Sequence, residues 1–516
     1  MAIDSVTLSV MASALSGIAE EMGSLLVRSA YSSNIKERRD CSSALFDSEG
    51  RMVAQAEHIP VHLGAMPETV RSVMSKSPRP GDVFIVNDPY SGGSHIPDVT
   101  LVTPVAIEGA VIAYAATRAH HSDMGGSSPG SMPGGSTDIY QEGLVIPPVR
   151  LVEDGVLSET VMSLIMANSR TPFLRRGDFL AQIAANDLAV SRLSELAAKI
   201  GLDALVEGFA AVIAYAEKRT RDAISTLPDG VYRAETEIEG DGVTEGDIPI
   251  RVEVRVVGDS ISIDFEGTAG AVDGNVNCPL AVTQSACYFA TKVVVPKDIP
   301  SNSGAFAPIT ITAPEGSLVN ARRPSAVVAA NVETSSRIAD VVLRALSQAT
   351  GVTADGQGTM NVVVIGGPTW TYVETLAGGQ GASAAGPGAS GVHVAMTNTL
   401  NTPIESLELE YPMRVERYEL RYGSGGAGKH RGGDGLVRSI RVLDRASLSL
   451  LTDRRRHHPQ GLEGGGPGAV GRNLVGDTEI GAKVSVGLEA DDVVTVETPG
   501  GGGWGVPDEH HVEETQ

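Results

Sequence analysis

Five of the eleven histidines fall between residues 58 and 121, interleaved with aspartates. His58 and His62 sit in "AEHIPVHLGAM", His95 and Asp98 in "SGGSHIPDVT", His120, His121 and Asp123 in "ATRAHHSDMGG", and Asp40 lies upstream in "ERRDCSS". Imidazoles and carboxylates are the side chains that move protons near neutral pH and that hold divalent metals while leaving room for water. A mixed nitrogen and oxygen set of this kind suits zinc, manganese or iron, and a water in such a site ionises near neutral pH and attacks a carbonyl-type carbon. The plainer alternative for any one His-Asp pair is a hydrogen-bonded pair buried for structure.

Spacing decides how such residues meet. His95 and Asp98 would share a helical face, but Pro97 cannot sit inside a helix and pushes Ile96 toward extended geometry. In a plain strand, positions three apart point to opposite faces. The two side chains converge only if the chain turns at "HIPD", and Gly92 and Gly93 supply freedom for that turn. At the strand end "AYAATRAHH", adjacent residues face opposite sides, so one of His120 and His121 joins such a site and the other points elsewhere. If extension persists, His121 and Asp123 share a face as an acid/base pair. His58 and His62 are candidates for substrate contact or for packing near the site. Cys41 has no assigned basic partner and reads as a buried thiol.

The elements around these residues read as an α+β chain. Residues 4–30 carry apolar positions at three- and four-residue spacing behind an Asp/Ser start, which predicts a capped amphipathic helix. "ALFD", "MVAQA", "VFIVND", "VTLVTPVAI" and "AVIAYAATRA" follow as strands. Residues 178–199 and 203–225 form two helical patterns split by Gly201. The Pro-Asp-Gly turn near 228 opens a different style of alternating strands, with later helical stretches at "PLAVTQSACYFATKVVV" and "ETSSRIADVVLRALSQAT". From about 385 the chain is strands and glycine turns. This predicts a mixed multi-domain fold: residues 1–228 as an α/β N-terminal domain carrying the metal site, 229–385 as a central α+β domain, and 386–516 as a β-rich part ending in an acidic frayed tail, "DEHHVEETQ".

Composition narrows the function classes. The net charge of -23 disfavours nucleic acid and anionic membrane surfaces as partners. The three cysteines lack CxxC spacing, which fits a reducing cytoplasm better than a disulfide framework. No basic leader and no apolar stretch of membrane-spanning length stand out. Residues 423–430, "GSGGAGKH", nearly match a phosphate-binding loop, but His430 replaces the Ser or Thr that would ligate magnesium, and "RGGDG" follows where a helix should begin. A glycine-rich hairpin is the better reading, and the glycines of "TPGGGGWG" mark turns or close backbone approach.

Taken in order, "NIKERRDCSSALFD", "IPVHLGAMPETV", "NDPYSGGSHIPDVTLVTPV", "AHHSDMGG", "EGLVIPP", "NVETSSR", "TNTLNTPIESLELEYPMRVERYELR", "SGGAGKHRGGDG" and "TPGGGGWG" resemble the hydantoinase B/oxoprolinase family from about residue 3 to 505. The resemblance implies one subunit of an ATP-dependent two-component cyclic amidohydrolase, or half of a fused 5-oxoprolinase. The hydantoinase A-type partner binds ATP and phosphorylates the carbonyl oxygen of a lactam or hydantoin, and this subunit hydrolyses the activated ring in a cytoplasmic hetero-oligomer. A subunit of an acetone or acetophenone carboxylase, or a non-catalytic scaffold for the ATP-binding subunit, are the alternatives. The family's metal site maps onto Asp40, His95, Asp98 and one histidine of "AHHSD", assigned to His120 with His121 as the alternative. His121 and Asp123 are then left for proton transfer, with Glu142 of "QEGL" as a further catalytic candidate and Glu333 of "NVETS" as a substrate-binding or loop-holding one.

Overall fold

The structure is a computed structural model and describes residues 4–57 and 59–507. His58 and the tail "DEHHVEETQ" therefore lie outside the described residues, and so do the expectations placed on them.

The helix Ser5–Ser29 starts where the sequence predicts, with the Asp4 carboxylate accepting from the amides of Val6 and Thr7. Its apolar stripe, Met11, Leu15, Ile18, Met22 and Leu26, is buried. By length and composition alone, this helix is apolar enough to cross a membrane. That corrects the expectation that no such stretch exists. Here the stripe packs with the helices Pro172–Ile200 and Leu202–Ile224 onto one face of a sheet.

That sheet has seven antiparallel strands in the order β2-β1-β5-β4-β3-β6-β7, with β1 Cys41–Asp47, β2 Met52–Glu57, β3 Val83–Val86, β4 Asp98–Ile107, β5 Ala110–His120, β6 Val149–Glu153 and β7 Val156–Leu157. Alternation divides its strands between two cores. Cys41, Leu45, Ala113, Ala115 and Ala119 face the three long helices, while Ala44, Phe46, Tyr114 and Ala116 face a larger cluster on the other side. A sheet buried on both faces explains why β1 and most of β4 and β5 read as apolar runs.

The larger cluster continues into a second sheet, β11-β10-β9-β8 (β8 Gly230–Glu239, β9 Asp247–Val257, β10 Ser260–Asp264, β11 Ile309–Thr312), and into the helices Leu280–Val294 and Ser335–Thr350. A third sheet, β13-β12-β16-β19, pairs β12 (Val362–Gly366) and β13 (Thr371–Thr375) with β16 (Ala446–Leu451) and β19 (Lys483–Leu488). A fourth joins β14 (Met413–Arg421) and β15 (Gly435–Val442) to β20 (Val493–Glu497), β17 (Arg472–Val475) and β18 (Thr478–Glu479). The style change at 228 does coincide with the step from helix to β8. The expected boundary at 385 falls between strands of one sheet, because β12 needs β16 as its neighbour, and one buried cluster runs from Ala44 to Leu451. Local composition shifts at 385, but the core does not divide there.

The glycine segments show why they are glycine. Gly426 N–H donates to Gly501 O at 2.8 Å, Gly501 N–H to Gly433 O at 2.9 Å, and Gly502 N–H to Asp355 O at 2.8 Å. A Cβ on Gly425 would lie 2.0 Å from Gly432 O, and one on Gly503 2.1 Å from Ala427 O. "GSGGAGKH" and "TPGGGGWG" are backbone packed against backbone, with no helix N-terminus after Lys429 to receive a phosphate.

Candidate metal centre

The loop before β4 is held closely. Gly92 has φ 91°, and a Cβ there would lie 2.3 Å from Thr69 N. Its carbonyl accepts from Thr69 Oγ1 at 2.5 Å and from the buried Arg118 at 3.2 Å, and Arg118 also donates to Thr100 on β4. His95 and Asp98 then form the turn that their spacing requires, Asp98 N–H donating to His95 O at 3.1 Å. Asp98 opens β4 and lies opposite His120, the last residue of β5. Turn and register together bring three side chains to one point.

There, one ligand-type atom from each of His95, Asp98 and His120 lies within 4.8 Å of the others. His95 Nδ1 is 3.1 Å from Asp98 Oδ2, and His120 Nδ1 is 3.3 Å from Asp98 Oδ1. His62, on the short turn Pro60–His62, adds Nε2 at 3.4 Å from Asp98 Oδ2 while its Nδ1 meets Ser42 Oγ at 2.9 Å. All four residues are buried. Burial raises the Asp98 carboxyl, but His95, His62 and hydrogen bonding from His120 overcome it and hold Asp98 well below its usual range. Burial lowers His95, against the Asp98 carboxylate beside it.

The donor set fits a divalent ion. His95 Nε2 and His120 Nε2 are buried without a hydrogen-bond partner, while the Nδ1 of each ring faces Asp98, an arrangement that costs free energy unless another group uses the free lone pairs. Two imidazoles and a carboxylate are the ligand chemistry of zinc, manganese and iron sites. Asp40 enters differently. It precedes β1, its carbonyl accepts from His120 N–H at 3.0 Å, and it lines a small cavity with Asp98, His62 and His120, but its carboxylate is outside the 4.8 Å cluster.

The remaining sequence candidates lie elsewhere. The expected shared face of His121 and Asp123 does not form, because β5 ends at His120 and the chain leaves the sheet. His121 Nε2 meets Gln182 Oε1 at 2.9 Å, and its ring stacks on Phe179 at 4.4 Å between centroids, on the long-helix side. Burial and Arg175 push it down to about 3. Asp123 accepts from the amides of Gly125 and Gly130 and pairs with Arg170 at 3.0 Å, which fixes the following loop. Glu142 accepts from the amides of Val327 and Val328, each at 2.9 Å, and from Ser136. Burial raises it to about 8. Cys41 is buried and its thiol is pushed up, first by burial and then by Asp40.

Other cavity residues carry no histidine-like signal. Asn331 belongs to a π-helical turn, Ala330–Thr334, that precedes the helix Ser335–Thr350, and π turns recur at functional sites. Its Oδ1 is buried without a partner, and it lines the cavity with Thr375, Thr397 and Thr399. The buried Arg38 donates to Thr375 Oγ1 at 2.6 Å and Thr399 Oγ1 at 3.0 Å, placing a cation behind the threonine wall. Asn331 lies within "NVETSSR", where Glu333 is the more conspicuous residue, and Thr397 and Thr399 lie within "TNTLNTP". Glu333 is turned from the cavity lining, toward Asp453 and Lys483, and is raised to about 8 by burial and then Asp453.

A sequence profile of the Hydantoinase B/oxoprolinase family matches residues 4–507. The chain belongs to this family. It is 34% identical over 542 residues to a protein of Pseudomonas sp. named for a D-/L-hydantoinase subunit, covering 99% of this chain and 91% of that one. It is 38% identical to a 5-oxoprolinase of Dictyostelium discoideum, with 98% of this chain matching 41% of that protein, so the chain spans about two-fifths of that relative's length. The crystal structure of an ATP-dependent caprolactamase from Pseudomonas jessenii superposes with a TM-score of 0.92 at 27% identity, over 98% of this chain and 92% of that one. The family supports cyclic amide hydrolysis as its general chemistry.

Proposed function

We propose that the chain is the metal-dependent subunit of an ATP-dependent cyclic amidohydrolase, hydrolysing a lactam or hydantoin whose carbonyl oxygen has been phosphorylated on a hydantoinase A-type partner. The observation that carries this reading is the convergence of His95, Asp98 and His120, with unpartnered ring nitrogens, beside a water-sized cavity that Asp98 and His120 line. In it, these three residues and Asp40 hold the ion, which supplies electrostatic polarisation of the reacting group when bound. His62, braced by Ser42, keeps the Asp98 carboxylate turned toward the cluster. Thr375 and Thr399, whose hydroxyls accept from Arg38, line the cavity where negative charge would develop on oxygen. Asn331 orients the group entering from the other side.

A division of labour suits the chemistry. An unstrained amide is a poor electrophile, and conversion of its oxygen into a phosphate ester lowers the barrier before water is presented. ATP binding by the partner accords with the packed glycine segment at 423–430 and with the ATP dependence named for the caprolactamase. Three buried cysteines without a disulfide suit a cytoplasmic hetero-oligomer. The test is the purified complex, assayed for ATP-dependent ring opening of hydantoin, caprolactam and 5-oxoproline. Bicarbonate-dependent turnover of a ketone in place of ring opening would overturn hydrolysis in favour of carboxylation.

A further inference from the structure

The cavity beside the histidine cluster has a volume of about 20 Å³. A space of roughly 10–15 Å³ holds one water, so this one has room for an ion or a water and none for a cyclic amide. A second cleft of about 480 Å³ adjoins it and shares Thr397 as a lining residue. The partition between them is thin. His393, on the cleft side, meets Thr397 Oγ1 through Nδ1 and Thr399 Oγ1 through Nε2, both at 3.4 Å, and Thr399 lines the small cavity. Ile59 and Val61 line the small cavity while Pro60 between them lines the cleft.

We propose that the cleft holds the body of the substrate, a cyclic amide with an apolar substituent, and that only the reacting carbon reaches the histidine side past the His393–Thr397–Thr399 partition. This rests on the amidohydrolase reading. The size is that of a small-molecule pocket. Phe289, Val293, Leu343 and Val394 supply an apolar wall. The charges in the cleft are already spent on one another: Arg344 donates to Asp355 at 2.6 Å and to Glu235 O at 2.8 Å, and Asp340 pairs with Arg337. Arg454 also reaches both acids, 2.9 Å from Asp355 Oδ2 and 3.6 Å from Asp340 Oδ2, so these charges are taken up with one another and the apolar wall is left to receive the substituent. A substrate body outside the reacting cavity also leaves ring size and substituent free to vary.

The test uses the complete chain with its partner subunit. Val394→Trp fills the cleft from a side chain that lines it and packs against Gly356, and Val394→Ala enlarges it. Equilibrium dialysis with 5-benzylhydantoin is expected to show saturable binding to the wild type, at least tenfold weaker binding to Val394→Trp and retained binding to Val394→Ala, with metal content equal in all three. 5-Oxoproline is expected to bind more weakly than 5-benzylhydantoin. No saturable binding to the wild type, or equal affinity in Val394→Trp with the variant folded by circular dichroism, overturns the proposal. Binding that obeys these rules without ATP-dependent ring opening would instead contradict the amidohydrolase reading and leave the cleft assignment standing.

Discussion

His120 and His121 are neighbours in the chain, both buried, and they end in opposite chemistries. On the cavity side, His120 faces Asp98 and His95 and keeps Nε2 without a partner. On the helix side, His121 hydrogen-bonds Gln182 and stacks on Phe179. His120 is the last residue of β5, and His121, its N–H donating to Pro97 O at 2.8 Å, presents its ring to the opposite side. Residue type alone therefore cannot mark a catalytic histidine. His121 Nδ1 is also buried without a partner, so what marks His120 is convergence, its free nitrogen lying in one cluster with His95 and Asp98.

The sharpest way to break this comparison is to exchange the fates of the pair. His120→Ala is expected to lower ring-opening activity on the order of a hundredfold or more while the protein remains folded, read by steady-state kinetics and circular dichroism. His121→Ala is expected to do the reverse, costing about 2–3 kcal/mol in urea unfolding through a lost hydrogen bond and a cavity against Phe179, with metal content retained. Its titration adds a signature. The His121 ring is held down at about 3, below its ordinary value of 6.5, so its contribution is present above pH 6.5 and is lost as pH falls toward 3. The variant should lose less stability on acidification than the wild type.

Glu142 tests the same distinction on a carboxyl. Raised from 4.5 to about 8, it contributes stability that is full below pH 4.5 and is lost as pH rises through about 8. Glu142→Gln keeps an oxygen for the Val327 and Val328 amides and removes the charge, so its melting temperature should fall less than that of the wild type between about pH 5 and about pH 9. Glu333, also raised to about 8, leaves part of the slope in place. The smallest effect is expected at Lys429, which is exposed in the glycine turn: Lys429→Ala should change stability by less than about 0.5 kcal/mol and leave the ATP requirement of the complex unaltered.

Much of this was legible in the residues. Pro97 excludes a helix at "HIPD" and demands a turn, and the turn is there. Asp4 and the apolar stripe placed the first helix, and the missing hydroxyl at His430 removed the phosphate loop. Other features depend on contacts distant in sequence. The extension expected through Asp123 gives way to Arg170, 47 residues later, and β12 is completed by β16 across the expected boundary at 385. Thr375, Thr399 and Asn331 have no chemistry of their own to notice, and gain it only from Arg38, a π turn and a shared cavity. His62 was readable as a neighbour of the site, and only its 3.4 Å approach to Asp98 shows which group it orients.

The central claim is that the unpartnered nitrogens of the His95–Asp98–His120 cluster belong to a bound metal. Elemental analysis of the purified wild type, His95→Ala and His121→Ala proteins tests it directly. One divalent ion per chain in the wild type and in His121→Ala, with a loss of that ion in a folded His95→Ala, is the predicted result. Metal retained at full stoichiometry in His95→Ala, or a wild type that opens rings without any metal, would contradict it.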